Sequence, residues 1–399
     1  MPDLLIRNCR PMGGAAVDVR IAAGRFAEIA PHIEAPGVPV EDAGGAILLP
    51  GLVDAHAHLD KSFLGMCWHP HAAGPTTLEK IENDRLMKRE ANMDPALQSA
   101  RQAVMAVATG TSHINSHVDV DTECGVGSIA GVMATRDRYR DAIGIQLVAF
   151  PQSGLLRRPG TMELMHEAMK LGADAVGGID PCGLDRDPKG HLDAIFALAD
   201  TYGKPIDLHL HEPGAMGAFS LDMIFERTRA LGMQGKVTIS HAFCLGGGDR
   251  DMVDPLIATL AELDIAIMTT GPAARPAPPV KRLVAAGVRV CAGVDGIRDA
   301  WGPYGNTDLL ERAMMIGLRN NFRTDPDIEL ALGLCTTGGA SVMRIADYGL
   351  EVGCVADGVL VAAEAVAEAV VSRPVRQLVL KAGRVVARDG KALIEAAAA

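Results

Sequence analysis

Short apolar runs recur along the middle of the chain, and most of them close on polar residues. They are LVDAHAH (52–58), TSHINSH (111–117), GIQLVAF (144–150), DAVGGI (174–179), PIDLHLH (205–211), KVTISH (236–241), DIAIMTT (264–270) and VRVCAGVD (288–295). Helical patterns such as TMELMHEAMKLG and PLIATLAELD follow most of them. Strands that alternate with helices predict βαβ units and a parallel sheet. Eight such strands predict a closed (β/α)₈ TIM barrel over residues 51–348. A doubly wound open sheet is the competing arrangement, but no GxGxxG follows an early strand. The interval 59–110 is long enough for a helix or a lid over the barrel mouth.

The pattern changes towards both ends. DLLIRNCRPM and VDVRIAAGRFAEIAP alternate in places and break at Gly and Pro, and so do ADGVLVAAEA and RQLVLKAGRVVARDGK. These segments predict one small β-sandwich domain built from residues 1–50 and 349–399. The fold class is therefore α/β.

Composition narrows the reading. With 48% hydrophobic and 22% charged residues, the 399-residue chain can bury a large core and is not disordered. A net charge of −11 without basic clusters argues against a nucleic-acid partner. The eight cysteines show no CxxC spacing, which argues against a zinc knuckle or a redox pair. MPDLLIRNCRPM lacks the pattern of a signal peptide, and no apolar run approaches a membrane span. The expectation is a cytoplasmic homo-oligomer with no membrane partner.

The polar residues that close the strands carry the chemistry. In a (β/α)₈ barrel the active site lies at the C-terminal strand ends. His56 and His58 stand there on strand one, His209, His211 and Glu212 on strand five, His241 on strand six and Asp295 on strand eight. His117 and Asp119 close strand two, and strand three leads into Gln152. Residues i and i+2 share a strand face, so HxH offers two imidazoles on one side. Neutral imidazoles with a carboxylate suit Zn²⁺ or Fe²⁺. Taken singly, His113, His117, His166 and His191 read as hydrogen-bonded structural residues. The ordered set of HxH, HxH, SH and VD reads as a metal site.

The motifs PGLVDAHAHLD, HLH, SH and GVDG resemble the amidohydrolase superfamily, in its cytosine-deaminase-like branch. SHVDVD, LVAFPQSG, LGADAVGGI and DYGLEVGCVADGVLV extend that resemblance over nearly the whole chain. HLDKSF, GGIDP, HLHEPGAMG, SHAFC and GIRDAWGPYGN look closer still to the s-triazine-ring enzymes of the branch. The resemblance implies one divalent metal ion, Zn²⁺ or Fe²⁺, on His56, His58, His209 and Asp295. It implies a hydrolase that removes an amino or alkylamino group from a small N-heterocyclic substrate. Strand four reads AVGGI and supplies no lysine to bridge a second metal. Ring opening of a cyclic amide and non-catalytic metal or ligand binding are the rival readings.

The same resemblance assigns roles. Asp295 takes a proton from water, His241 orients that water, and Glu212 returns the proton to the leaving amine. His211 stands where cytosine deaminase has an acidic residue, so it shares or replaces the role of Glu212. Lys61, Gln152, His211 and Trp301 are the expected substrate contacts. Cytosine deaminase carries a second Asp after its metal Asp, and here that place is Gly296. The sequence therefore predicts extra room beside the metal, for a bulkier ring or an N-alkyl group.

Overall fold

The computed structural model describes residues 3–395. Its centre is an eight-stranded parallel sheet: β1 (Leu52–Ala57), β2 (Thr111–Asp119), β3 (Gly144–Phe150), β4 (Ala175–Ile179), β5 (Ile206–His209), β6 (Val237–Ser240), β7 (Ala266–Thr269) and β8 (Val290–Ala292). Each strand pairs with the next in chain order. An Ala57–Asp295 bridge and the bond from Asp295 N–H to the His56 carbonyl, 2.8 Å, close the sheet into a barrel. The open doubly wound alternative is thereby excluded. Helices pack around the strands, and one apolar cluster runs from Ile47 to Ala387 through barrel and helices.

Five strand ends fall short of their sequence expectation, β1 and β7 by one residue each, at Ala57 and Thr269. β5 stops at His209, β6 at Ser240 and β8 at Ala292. His211, His241 and Asp295 therefore sit one to three residues past their strands, at the start of the loops. The backbone of His241 (φ 72°) and Asp295 (φ 66°) is left-handed there, which turns the chain off the ladder. Such conformations are uncommon for residues with a Cβ and cluster at functional sites.

The interval after β1 forms two helices, α1 (Thr77–Glu90) and α2 (Pro95–Ala108). Thr76 and Glu79 cap α1 reciprocally, as a capping box. Ile81 of α1 packs with Phe150, Ile179, Leu184 and Trp301, so the helix lies over the barrel mouth.

Strands from both ends of the chain form a second, nine-stranded mixed sheet. Ile47–Pro50 pairs antiparallel with Gly358–Val361. Leu4, Ile6, Val19, Ile21 and Phe26 share one cluster with Leu360, Leu378 and Leu380. The two halves of the sheet thus enclose a common core, as expected of a sandwich. Ala382 and Gly383 join Arg376–Lys381 to Arg384–Arg388, both at positive φ. That is the backbone a two-residue hairpin turn of the I′ kind requires. Among the described residues no helix is long and apolar enough to cross a membrane.

Candidate metal centre and proton-transfer site

A cavity of about 620 Å³ opens at the C-terminal end of the barrel. Its walls include His58, His209, His211, His241, Asp295, Lys61, Gln152 and Trp301. Gly271, Pro272 and Ala273 of the Pro-rich loop after β7 contribute as well.

The imidazoles cluster at the cavity floor. One nitrogen from each of His56, His58 and His209 lies within 4.8 Å of the others. His56, His241 and Asp295 form a second such group. Asp295 Oδ1 is 3.3 Å from His58 Nε2 and 3.6 Å from His56 Nε2.

This donor set suits a divalent cation. His56 Nε2, His58 Nδ1, both ring nitrogens of His209 and His241 Nε2 are buried without a hydrogen-bond partner. A buried polar atom left bare is costly, and so many converging at one place point to a ligand that they share. Their protonation suits a cation too. Burial, then the charges of His117 and His56, holds His209 well below the usual imidazole range. Burial and Lys61 push His58 down to about 3. Burial alone would raise the Asp295 carboxyl, but the His56 and His58 imidazoles that face it hold it well below the usual carboxylate range. Neutral imidazoles beside an ionised carboxylate are what a metal needs.

A layer beneath fixes the imidazoles. His56 Nδ1 lies 3.1 Å from Ser240 Oγ, which donates to Asp207 Oδ1 at 2.7 Å. Asp207 Oδ2 accepts from Asn115 at 3.2 Å and faces His117 Nε2 at 3.3 Å. Ser240 therefore occupies one nitrogen of His56 and leaves Nε2 for the site. Phe150 stacks on His209, with ring centroids 4.1 Å apart.

His211 and Glu212 are neighbours in sequence and part company in space. His211 lines the cavity, and its ring stacks on His241 at 4.5 Å. Asp180 holds it twice: Oδ2 lies 2.9 Å from His211 Nδ1, and Oδ1 accepts its backbone N–H at 2.7 Å. Burial would lower the imidazole pKa, but the Asp180 charge and hydrogen bond raise it above the usual value. Glu212 is not among the cavity residues. Its Oε1 accepts from Cys182 N–H and Gly183 N–H, each at 2.7 Å, and its Oε2 from the Ser220 hydroxyl. Glu212 thus pins the loop after β4 to the helix Gly214–Ala230 and turns away from the metal cluster.

Lys61 is 1% exposed. Its Nζ donates to Asp119 Oδ1 at 3.1 Å and to Gln152 Oε1. Gln152 Nε2 donates to Asp84 Oδ2 at 3.1 Å, and Lys88 bridges Asp84 and Asp119. Helix α1 therefore backs Lys61 and Gln152 from behind, through Asp84 and Lys88. Replacing Lys61 with Met removes one cation from this buried network. It is expected to lower unfolding free energy by about 3 kcal/mol, the usual cost of leaving a buried charge short of a partner. Urea unfolding of the metal-loaded protein measures this, and an unchanged midpoint would refute it.

Asp180, Asp207, Ser240, Asp84 and Lys88 were not singled out from the sequence. Asp180 stands in the GGIDP motif and Asp207 in the fifth strand run, so their positions were visible without a role. Asp84 and Lys88 lie on a helix that carries no motif. The room expected beside Gly296 is also absent. A Cβ on Gly296 would lie 1.8 Å from Asp299 Oδ2, so the Asp299 carboxylate fills that space.

Residues 39–387 match the model of the amidohydrolase family. The chain belongs to the amidohydrolase family. Members are metal-dependent, and the His/Asp cluster of this amidohydrolase has the make-up of such a site. N-isopropylammelide isopropylaminohydrolase of Burkholderia multivorans ATCC 17616 superposes with a TM-score of 0.96 at 49% identity, over 98% of this chain and 100% of that one. N-isopropylammelide isopropyl amidohydrolase of Pseudomonas sp. (strain ADP) is 32% identical over 97% of this chain and 98% of its own length. A 5-methylcytosine deaminase from Klebsiella pneumoniae, bound to 5-fluorocytosine, superposes with a TM-score of 0.85 at 26% identity, over 96% and 97% of the two chains.

Proposed function

We propose that this amidohydrolase removes an alkylamino or amino group from a six-membered N-heterocycle of the s-triazine or pyrimidine kind. The observation that carries the reading is one cavity. It brings a bare imidazole cluster, an ionised carboxylate and a carboxylate-held histidine to the same place. Full-length similarity to N-isopropylammelide enzymes favours the triazine ring, and an N-alkylamine as leaving group.

His56, His58, His209 and Asp295 would hold a single Zn²⁺ or Fe²⁺. Such an ion, when bound, makes water nucleophilic near neutral pH and polarises the bond under attack. The side chains divide the remaining work. Asp295 faces the cavity ionised and accepts a proton from the attacking water. His241, neutral and unpartnered at Nε2, orients that water. Water oxygen joins the ring carbon, and the bond from that carbon to the exocyclic nitrogen breaks. His211 protonates the departing nitrogen, with Asp180 holding the ring at Nδ1 so that Nε2 is the working atom. Lys61 supplies a cation to a ring oxygen. Gln152 keeps one N–H and one lone pair free for an amide-like ring edge. Trp301, whose buried Nε1 has no partner, closes over the ring.

The test is an assay of metal-loaded protein for isopropylamine and ammonia release. The panel is N-isopropylammelide, ammelide, cytosine, 5-methylcytosine and a pterin. Exchange of an amine for oxygen in the product mass supports the reading. Net addition of water shows ring opening instead. No amine from any member of the panel, with metal content verified, refutes the proposal.

A further inference from the structure

We propose that Asp299 is a substrate-recognition residue, presenting from the place a side chain on residue 296 would hold the group that reads a ring-nitrogen edge. The inference rests on the heterocycle reading above and extends it to a named contact.

Three observations carry it. First, Asp299 and Gly296 both line the cavity, beside Asp295, Lys61 and Trp301. Second, Asp299 Oδ1 is fixed by two backbone donors, Trp301 N–H at 2.9 Å and Gly302 N–H at 3.0 Å. That turn leaves Oδ2 against the Cα of Gly296, where any Cβ would collide with it at 1.8 Å. Glycine at 296 and the carboxylate at 299 are therefore a matched pair, since a side chain at 296 would evict the carboxylate. Third, among the described residues none hydrogen-bonds to Oδ2, while the residue as a whole is 3% exposed. A carboxylate oxygen with no protein partner, on a residue that lines the cavity, is available to a ligand.

The chemistry it reads follows from its state. Burial pushes the Asp299 carboxyl up to about 7, with Lys61 opposing. Ionised, it accepts from a ring N–H next to a carbonyl. Protonated, it donates to a bare ring nitrogen. Oxo-triazines and oxopyrimidines offer such edges, and a ring that carries a methyl on that nitrogen offers neither.

Four proteins test this: wild type, Asp299→Asn, Asp299→Ala and the double variant Gly296→Asp/Asp299→Ala. Asparagine keeps an oxygen for Trp301 and Gly302 and so keeps the turn, but it exchanges the acceptor for a donor. Each protein is assayed on ammelide-type substrates with a free or an N-methylated ring nitrogen. Metal content and thermal midpoint are measured in parallel. Expected for Asp299→Asn is a fall in kcat/KM of about 10²-fold or more on the free ring, since a site built for a hydrogen bond discriminates strongly when it is mismatched. Most of the fall should lie in KM. Preference for the free over the N-methylated ring should collapse in Asp299→Ala, and the double variant should recover part of it. A wild type active on the panel alongside an equally active and equally selective Asp299→Asn overturns this inference alone. A wild type inert towards every heterocycle overturns the proposed function, and this inference with it.

Discussion

Exchange of Asp295 for asparagine or alanine is expected to lower kcat/KM by about 10³-fold or more, because a catalytic cation is worth several kcal/mol in the transition state. Among the described residues Asp295 is the carboxylate that faces both His56 and His58, and its charge is what makes three imidazoles an attractive site for a cation. The fold should survive, because Asp295 closes the barrel through its backbone N–H and not through its side chain. Asparagine is the cleaner variant. It tolerates the left-handed backbone at this position, whereas alanine pays for it by about 1–2 kcal/mol. Metal per chain by elemental analysis should fall in both variants, with thermal midpoints reported beside it. Unchanged metal content with full turnover would remove Asp295 from the ligand set.

His211→Ala and Glu212→Gln should fail in opposite ways. Loss of a positioned acid–base group costs about 10²–10⁴ in rate, so His211→Ala is expected to lose that much in kcat with little change in stability. Its partner Asp180 keeps the bond from the His211 backbone N–H in this variant. Glu212→Gln keeps one oxygen but loses the charge that gathers Cys182 N–H, Gly183 N–H and the Ser220 hydroxyl. Expected there is a stability loss of about 1–3 kcal/mol, with turnover within about tenfold of wild type. Steady-state kinetics and urea unfolding on both variants separate the two. The reverse pattern would give the proton to Glu212, as the comparison with cytosine deaminase first implied.

That contrast shows where sequence reading stopped. Periodicity revealed the barrel, because each strand must be apolar where it meets the helices and each helix must carry one apolar stripe. The HxH spacing revealed an imidazole cluster, because a strand puts i and i+2 on one face. What lay beyond was decided by backbone direction after a strand ends. His211 and Glu212 are adjacent letters. One turns into the cavity onto Asp180, and the other turns out onto a loop, a choice that no local pattern encodes. Gly296 taught the same lesson. A missing side chain read as empty space, yet Asp299 folds back through an Asx turn to fill it. Asp84 and Lys88 escaped notice because their role depends on where helix α1 settles, which is a tertiary fact.

The sheet shared by the two ends of the chain has a consequence for biosynthesis. Ile47–Pro50 is wholly buried in the finished protein, flanked by Gly358–Val361 on one side. On a ribosome that flank emerges only after every barrel strand has been made. Through that interval an apolar strand edge stands unpaired, the kind of surface that recruits chaperones or seeds aggregation. Yield from the cell should therefore respond more to chaperone supply and growth temperature than the stability of the purified enzyme would suggest.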